Sequence, residues 1–358
     1  MKALSAVVAC TGAPPAGVDA AVVAGHCKAT GDIVNAWRTK WRDKAVPFFT
    51  GIHKNAHPAA VVYPFGGGDL LNALAVYPSA TEYTTLSLEG MGDPRTLDAL
   101  SGAGKRDVLA TQLQRLRKTY EMNLGWAWNT TVQLSLDSGE TGQGLPGILA
   151  LALVAIDANG YELVEARYWH PTARGDVQYL TQRDVDAWDA AGRKSGKKIT
   201  NAVQQGAFND IELVFRKKGD PSAPAKTFRH LTGDLSDGGI KADGSSLAYL
   251  EQRKEVAAIT KAASYHLWKD AFSKVRGYLL SHMKVMLSDD TGIPPRHAKA
   301  AGFTQEVWGT YTGTFFNWAP QDTARELVEL FKGNKREMPY KFGYYDNRNR
   351  SVLLVTRK

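Results

Sequence analysis

The chain is short of the residues that usually announce a mechanism. Two cysteines occur in 358 residues, Cys10 and Cys27. There is no Cys-x-x-Cys pair and no Cys/His zinc spacing, so neither a structural zinc nor a dithiol redox motif is written here. No apolar run approaches the roughly 20 residues of a membrane-spanning helix. The Gly-x-Ser-x-Gly elbow, the His-Glu-x-x-His motif and the Walker phosphate loop are all missing, which removes motif support for serine hydrolases, zincins and P-loop enzymes. No internal repeat is found. Net charge is +8, which suggests contact with anions, but the charge is dispersed. The dense pieces, Arg193 to Lys198, Arg216 to Lys218 and Lys332 to Arg336, sit beside Gly, Pro or Asp and read as solvated loops rather than a nucleic-acid stripe. The hydrophobic share of 44% is that of a globular protein, and the length allows one large domain or two smaller ones.

The N-terminal MKALSAVVAC has a lysine, a short apolar run and a Val-Val-Ala-Cys ending. It resembles the end of a bacterial lipoprotein signal, with Cys10 as the lipid acceptor. The alternatives are a disordered N-terminus with a buried or free thiol, or pairing of Cys10 with Cys27. The following TGAPPAG is linker-like. Residues 1–28 therefore read as a leader or tether before one α/β domain over 29–358.

The chain is organised around Ala59 to Asp93. Val61, Val62, Tyr63 and Phe65 form a β-rich run. Gly66, Gly67 and Gly68 break it, and Asp69 is placed to cap a helix. Leu70, Leu71, Leu74 and Ala75 share one helical face, and Pro78 ends it. Tyr83 to Leu88 is a second β-rich run closed by Glu89. Strand, glycine turn, helix and strand ending in an acid is the layout of a nucleotide-type site.

Elsewhere, helices are expected at Thr30 to Trp41, Thr96 to Glu121, Leu247 to Val256, Asp270 to His282 and Asp322 to Phe331. Asn159-Gly160 predicts a hairpin over Val154 to Trp169. Asp210 to Arg216 and Lys226 to Leu231 predict a second one, so hairpins are inserted around 145–230. Asp184 to Ala202 reads as a loop. Strands are expected at Ala257 to His266, Met283 to Leu287, Tyr340 to Tyr345 and Ser351 to Thr356. The fold class is α/β: a Rossmann-like, mostly parallel sheet with additional antiparallel hairpins.

On residues 59–93 the chain resembles the first β-α-β unit of class I S-adenosylmethionine-dependent methyltransferases. The resemblance implies that Gly66, Gly67 and Gly68, with Asp69, cradle the cofactor and that Glu89 holds its ribose. Two departures stand out: Phe65 occupies the position of the usual acid before the first glycine, and Asp69 follows the glycines instead. The C-terminal half is similar to a family of uncharacterised bacterial proteins, many apparently exported. The shared features are Lys261 to Tyr265, the Asp-Asp-Thr-Gly-Ile-Pro run Asp289 to Pro294, the aromatic stretch Trp308 to Phe316, and Tyr340 to Lys358. YPFGGGD fits the same family's turn. This second resemblance implies relatives, not chemistry.

Asp289 and Asp290 follow a short strand and would meet Asp69 and Glu89 at the carboxyl edge of a parallel sheet. Such carboxylates suit a divalent cation such as Mg²⁺ or Ca²⁺, or one acts as general acid or base; alternatively one of them caps its turn. Lys261 would neutralise an anionic ligand group and His266 would move protons, unless both are surface residues at a helix start. Asp234 and Asp237 lie in a cation-friendly loop without EF-hand length. Trp126, Trp128, Trp308, Tyr311, Phe315, Phe316 and Trp318 form either a stacking platform or core.

Two functions follow as expectations. One is a methyltransferase-like enzyme using S-adenosylmethionine in the cytoplasm. The other is an exported, lipid-anchored protein of the same fold without cofactor, binding a glycan or envelope component.

Overall fold

The computed structural model describes residues 1–53, 58–125, 144–191, 198–199, 202–203, 206–261, 263–311, 313, 320–332, 336–340, 342 and 351–358. The strands are β1 (Ala60–Pro64), β2 (Glu82–Ser87), β3 (Tyr161–Pro171), β4 (Val177–Tyr179), β5 (Lys198–Ile199), β6 (Ala202–Val203), β7 (Asp210–Lys217), β8 (Lys226–Thr232), β9 (Val256–Thr260), β10 (Met283–Ser288), β11 (Thr304–Thr310) and β12 (Ser351–Arg357). The helices are α1 (Lys2–Val8), α2 (Ala20–Trp37), α3 (Asp43–Ile52), α4 (Leu70–Val76), α5 (Arg106–Leu124), α6 (Gly147–Ala158), α7 (Gln182–Ala190), α8 (Asp237–Ala242), α9 (Ser245–Glu251), α10 (Ser273–His282), α11 (Pro295–Ala300) and α12 (Gln321–Lys332).

Ten strands form one sheet in the order β11-β12-β10-β9-β1-β2-β8-β7-β3-β4. Its centre, β10-β9-β1-β2-β8, is parallel throughout. On one side β7, β3 and β4 continue it antiparallel; on the other β12 runs against both β10 and β11. This is the expected α/β architecture with a parallel centre and antiparallel additions.

Alternation along each strand decides what its two faces meet. Val61, Tyr63, Ala257, Ile259, Val285 and Leu287 point to one side and pack with Leu70, Leu74, Leu113 and Leu149 of α4, α5 and α6. Val62, Leu86, Ala258 and Met286 point to the other, against Leu250, Leu279 and Ala298 of α9, α10 and α11. A small third cluster seats Phe331 of α12 on Val307, Val352 and Leu354.

The expected hairpin over Val154 to Trp169 is instead a helix followed by a strand. In α6 every residue from Gly147 to Ile156 is buried. A helix apolar all round belongs in a core, and its unbroken apolar run carries no period that separates it from a buried strand. Asn159-Gly160 ends this helix: Asn159 Nδ2 donates to the Ala155 carbonyl, and Gly160 takes φ +82°, the left-handed conformation in which glycine ends helices. The second hairpin is present as β7 and β8. The expected loop after Asp184 starts as helix α7, through a Thr181/Asp184 capping box. The helix expected at Thr96 to Glu121 is divided at Gly102 and Gly104 into a 3₁₀ turn, Pro94–Leu100, and α5. Tyr340 to Tyr345 lies largely outside the described residues.

The segment read as a leader or tether is folded here. Leu4, Val7 and Val8 of α1 are buried in the main core. The Val8 carbonyl accepts from His26 Nε2 at 3.2 Å and from the Tyr120 hydroxyl at 3.1 Å. Cys10 is bonded to Cys27, 17 residues on. A sulfur in this bridge cannot also carry a lipid, so lipid anchoring at Cys10 and the structure described here exclude each other. Among the described residues no helix is long and apolar enough to cross a membrane. Reducing the Cys10–Cys27 bridge is expected to lower stability by about 3 kcal/mol through the loop it closes. Urea unfolding with and without dithiothreitol measures this, and identical midpoints would show that the bridge contributes nothing.

Candidate functional site

Successive strands step away from β1 through β2 to β8, whereas β9 and β10 lie on its other side. The winding reverses between β1 and β9. At such a switch point the loops after neighbouring strands diverge and leave a crevice at the carboxyl edge, where ligands of doubly wound folds bind. Phe65 to Asp69 follow β1, Glu89 follows β2, Asp234 follows β8, Lys261 to His266 follow β9, and Asp289-Asp290 follow β10. The fold thus brings every residue singled out at the glycine unit and the Asp-Asp run to one edge of the sheet.

The glycine turn is tight. Phe65 has φ 62° and Gly67 φ 50°, and the Gly66 carbonyl accepts from Asp69 N at 2.9 Å. A Cβ at Gly66 would lie 2.5 Å from the Tyr63 ring, and one at Gly68 2.7 Å from Ile148 Cγ2. Gly92, in the loop after β2, approaches Pro146 in the same way. Both loops therefore close on the first turn of α6. Asp69 caps α4, accepting from Asn72 N, from Asn72 Nδ2 at 2.8 Å and from the Tyr63 hydroxyl at 3.0 Å.

Glu89 is buried, 3% exposed, and its carbonyl is held by His230 Nε2 at 2.9 Å and the Ser87 hydroxyl at 3.1 Å. His230 is wholly enclosed and takes a hydrogen bond at Nδ1 from Thr85 at 3.0 Å. This residue went unnoticed in the sequence, where it is one letter inside a strand. The only available signal was a histidine beside Phe228 and Leu231 near the end of a strand.

Asp289 is fully buried and Asp290 nearly so. Asp289 Oδ1 accepts from Thr291 N at 2.9 Å and from the Thr291 hydroxyl, the Asx cap considered from sequence. Thr291 also meets Ser264 at 2.5 Å, which ties the loops after β9 and β10 together. His266 crosses the switch point. Its ring centroid is 5.4 Å from that of Phe65 and 4.6 Å from that of Phe272. Burial, with help from Lys269, lowers its pKa to about 4, so it is neutral at pH 7. Among the described residues its Nδ1 has no partner, nor do the enclosed hydroxyls of Thr260 and Ser288, which are register neighbours on β9 and β10.

The aromatic candidates separate from this edge, and the two carboxylates of the loop after β8 are taken up locally. Trp308 packs on Phe48 in the core, and Tyr311 packs on Phe331; Trp126, Trp128, Phe315, Phe316 and Trp318 lie outside the described residues. Asp234 caps its own turn through Ser236 N, and Asp237 accepts from Ser273 and Lys274 N of α10. Among the described residues no group of three or more His, Cys, Asp or Glu is arranged to hold a metal ion. Compared with protein-family models, with curated proteins and with solved structures, the chain matches none.

Gly68→Ala should cost about 1–3 kcal/mol in urea unfolding by overpacking Ile148, and unaltered stability would show that α6 yields freely there. The histidines set an acid limit. Burial lowers the folded pKa of His26, His230 and His266. Protons therefore bind the unfolded chain first: stability is complete above about pH 6.5 and falls as pH drops toward 4. Urea midpoints at pH 7.5 and pH 5 measure the slope, which should shrink in His230→Ala.

Proposed function

We propose that the chain is an exported binding protein on a Rossmann-like frame, taking a hydroxyl-rich ligand such as a glycan at the β1/β9 switch point, without S-adenosylmethionine. The observation that carries this reading is the Cys10–Cys27 bridge. Disulfides persist in oxidising compartments and are rare in the cytosol, where S-adenosylmethionine is made and used. The glycine turn supports the same reading. In the methyltransferase resemblance the glycines open the backbone to the cofactor and Glu89 reaches its ribose. Here the Tyr63 ring and Ile148 fill the space beside Gly66 and Gly68, and Glu89 is buried. Both observations count against that cofactor and support a site that does without it.

What the edge offers suits a neutral polyol. Phe65 and Phe272 supply ring faces, and the uncharged His266 Nδ1 and the Thr260 and Ser288 hydroxyls, all enclosed, lack partners among the described residues. Such groups exchange hydrogen bonds with sugar hydroxyls, and rings stack on sugar faces. The methyltransferase reading keeps one observation in its favour: an acid, Glu89, follows the second strand beside a switch point.

Thermal-shift titration of the full chain separates the two. The panel is neutral mono- and disaccharides against S-adenosylmethionine and its demethylated product. A ligand at 100 times its dissociation constant adds about 2.7 kcal/mol. The expected result is a saturable shift with a sugar that is lost in His266→Ala, and none with either adenosyl compound. A saturable shift with S-adenosylmethionine overturns the proposal.

A further inference from the structure

Beyond β8 the sheet carries a second polar centre, on the face that α9 covers only in part. Glu212 of β7 has a buried side chain, 2% exposed. It accepts from Arg167 Nη2 at 2.5 Å, from Arg229 Nε at 2.8 Å and from the Tyr179 hydroxyl at 3.0 Å. Strand register places these groups: Arg167 on β3 and Arg229 on β8 both stand opposite Glu212. Two positions along β3, Trp169 is enclosed against Tyr249 of α9, with ring centroids 5.0 Å apart. Arg253 lies 3.5 Å over the Tyr249 ring and donates to the Tyr249 carbonyl at 2.7 Å.

Besides Arg167 Nε, whose carboxylate neighbour is Glu165, three buried groups in this seam have no acceptor among the described residues: Trp169 Nε1, the Tyr249 hydroxyl and Arg253 Nε. Arg229, which flanks the Tyr249 hydroxyl, can only donate. All the unmet groups are thus donors. Charge leans the same way. Arg167 and Arg229 face Glu212, Arg167 Nε also lies 3.4 Å from Glu165, and Arg253 makes no ion pair among the described residues. The oxygens of Asp210 are taken by His170 Nδ1 at 2.9 Å and Thr232 N at 2.6 Å. A water accepts two hydrogen bonds at most and brings no charge. An oxyanion accepts all three and balances the surplus cation.

We propose that the seam between α9 and β3 binds an oxyanion, the phosphate or carboxylate group of a small ligand. The ligand enters past Arg167 and Arg229, which are 40% and 19% exposed, and its charged end meets Trp169 and Tyr249. The site is separate from the switch point, so it stands or falls without the glycan reading.

The test follows the indole N–H signals of the full chain by ¹H–¹⁵N NMR at constant ionic strength, with Trp169→Phe identifying the Trp169 signal. Inorganic phosphate and glucuronate are titrated separately against chloride. A saturable downfield shift with phosphate alone identifies a phosphate site, and one with glucuronate alone a carboxylate site; a shift with both identifies a general oxyanion site. Affinity should fall about tenfold in Tyr249→Phe and in Arg253→Gln. A Trp169 signal unmoved by both anions overturns the proposal, as does unchanged affinity in Arg253→Gln, whose partly exposed side chain is replaced without emptying the core.

Discussion

Much of this structure depends on a side chain that is not there. The first turn of α6 sits where it does because residue 68 is glycine: a Cβ there would lie 2.7 Å from Ile148. That approach sets the depth of α6, whose residues from Gly147 to Ile156 are all buried. In turn α6 supports α1, α4 and α5. The same turn shapes the carboxyl edge of β1. A glycine unit that from sequence reads as a cradle for a ligand works here as a seat for a helix, and it still leaves its carboxyl neighbours along the crevice. The two uses are compatible with one pattern because both need backbone to come close to something.

Polar groups fix the same edge from below. His230 bonds the carbonyl after β2 and the hydroxyl of Thr85, so β8 holds the loop that carries Glu89. Ser264 and Thr291 join the loops after β9 and β10. In a low-dielectric interior such bonds are costly to leave unmade, which gives the loops one arrangement rather than several. The groups without partners, Thr260, Ser288 and His266 Nδ1, lie among these fixed ones, an arrangement that suits a preformed site.

The β1-α4-β2 unit, the β7–β8 hairpin and the edge position of Asp289 were legible because each is encoded locally: alternation, turn residues, a cap. The role of α6 was not. Ala, Leu, Val and Ile in an unbroken run satisfy a buried helix and a buried strand equally, and Asn-Gly closes either one. Cys10 was ambiguous for a different reason, since only the fold tells whether Cys27 comes near. The Trp169–Tyr249 seam was invisible, because its members come from β3, β7, β8 and α9 and meet only through register. Long-range pairing is what a single sequence reports least.

The position of β12 has a consequence for biosynthesis. It lies between β10 and β11, both of which precede it in the chain, and it pairs with β10 through Val285 to Ser288 and with β11 through Thr304 to Thr310. As the chain leaves the ribosome, β10 and β11 are both made before the strand that joins them. Until β12 arrives the nascent protein carries two open strand edges, each a template for another chain. Translation that stops short of Ser351 would release a molecule with its parallel centre complete and its flank exposed. Such a product is a natural substrate for chaperones, and a hazard to its neighbours.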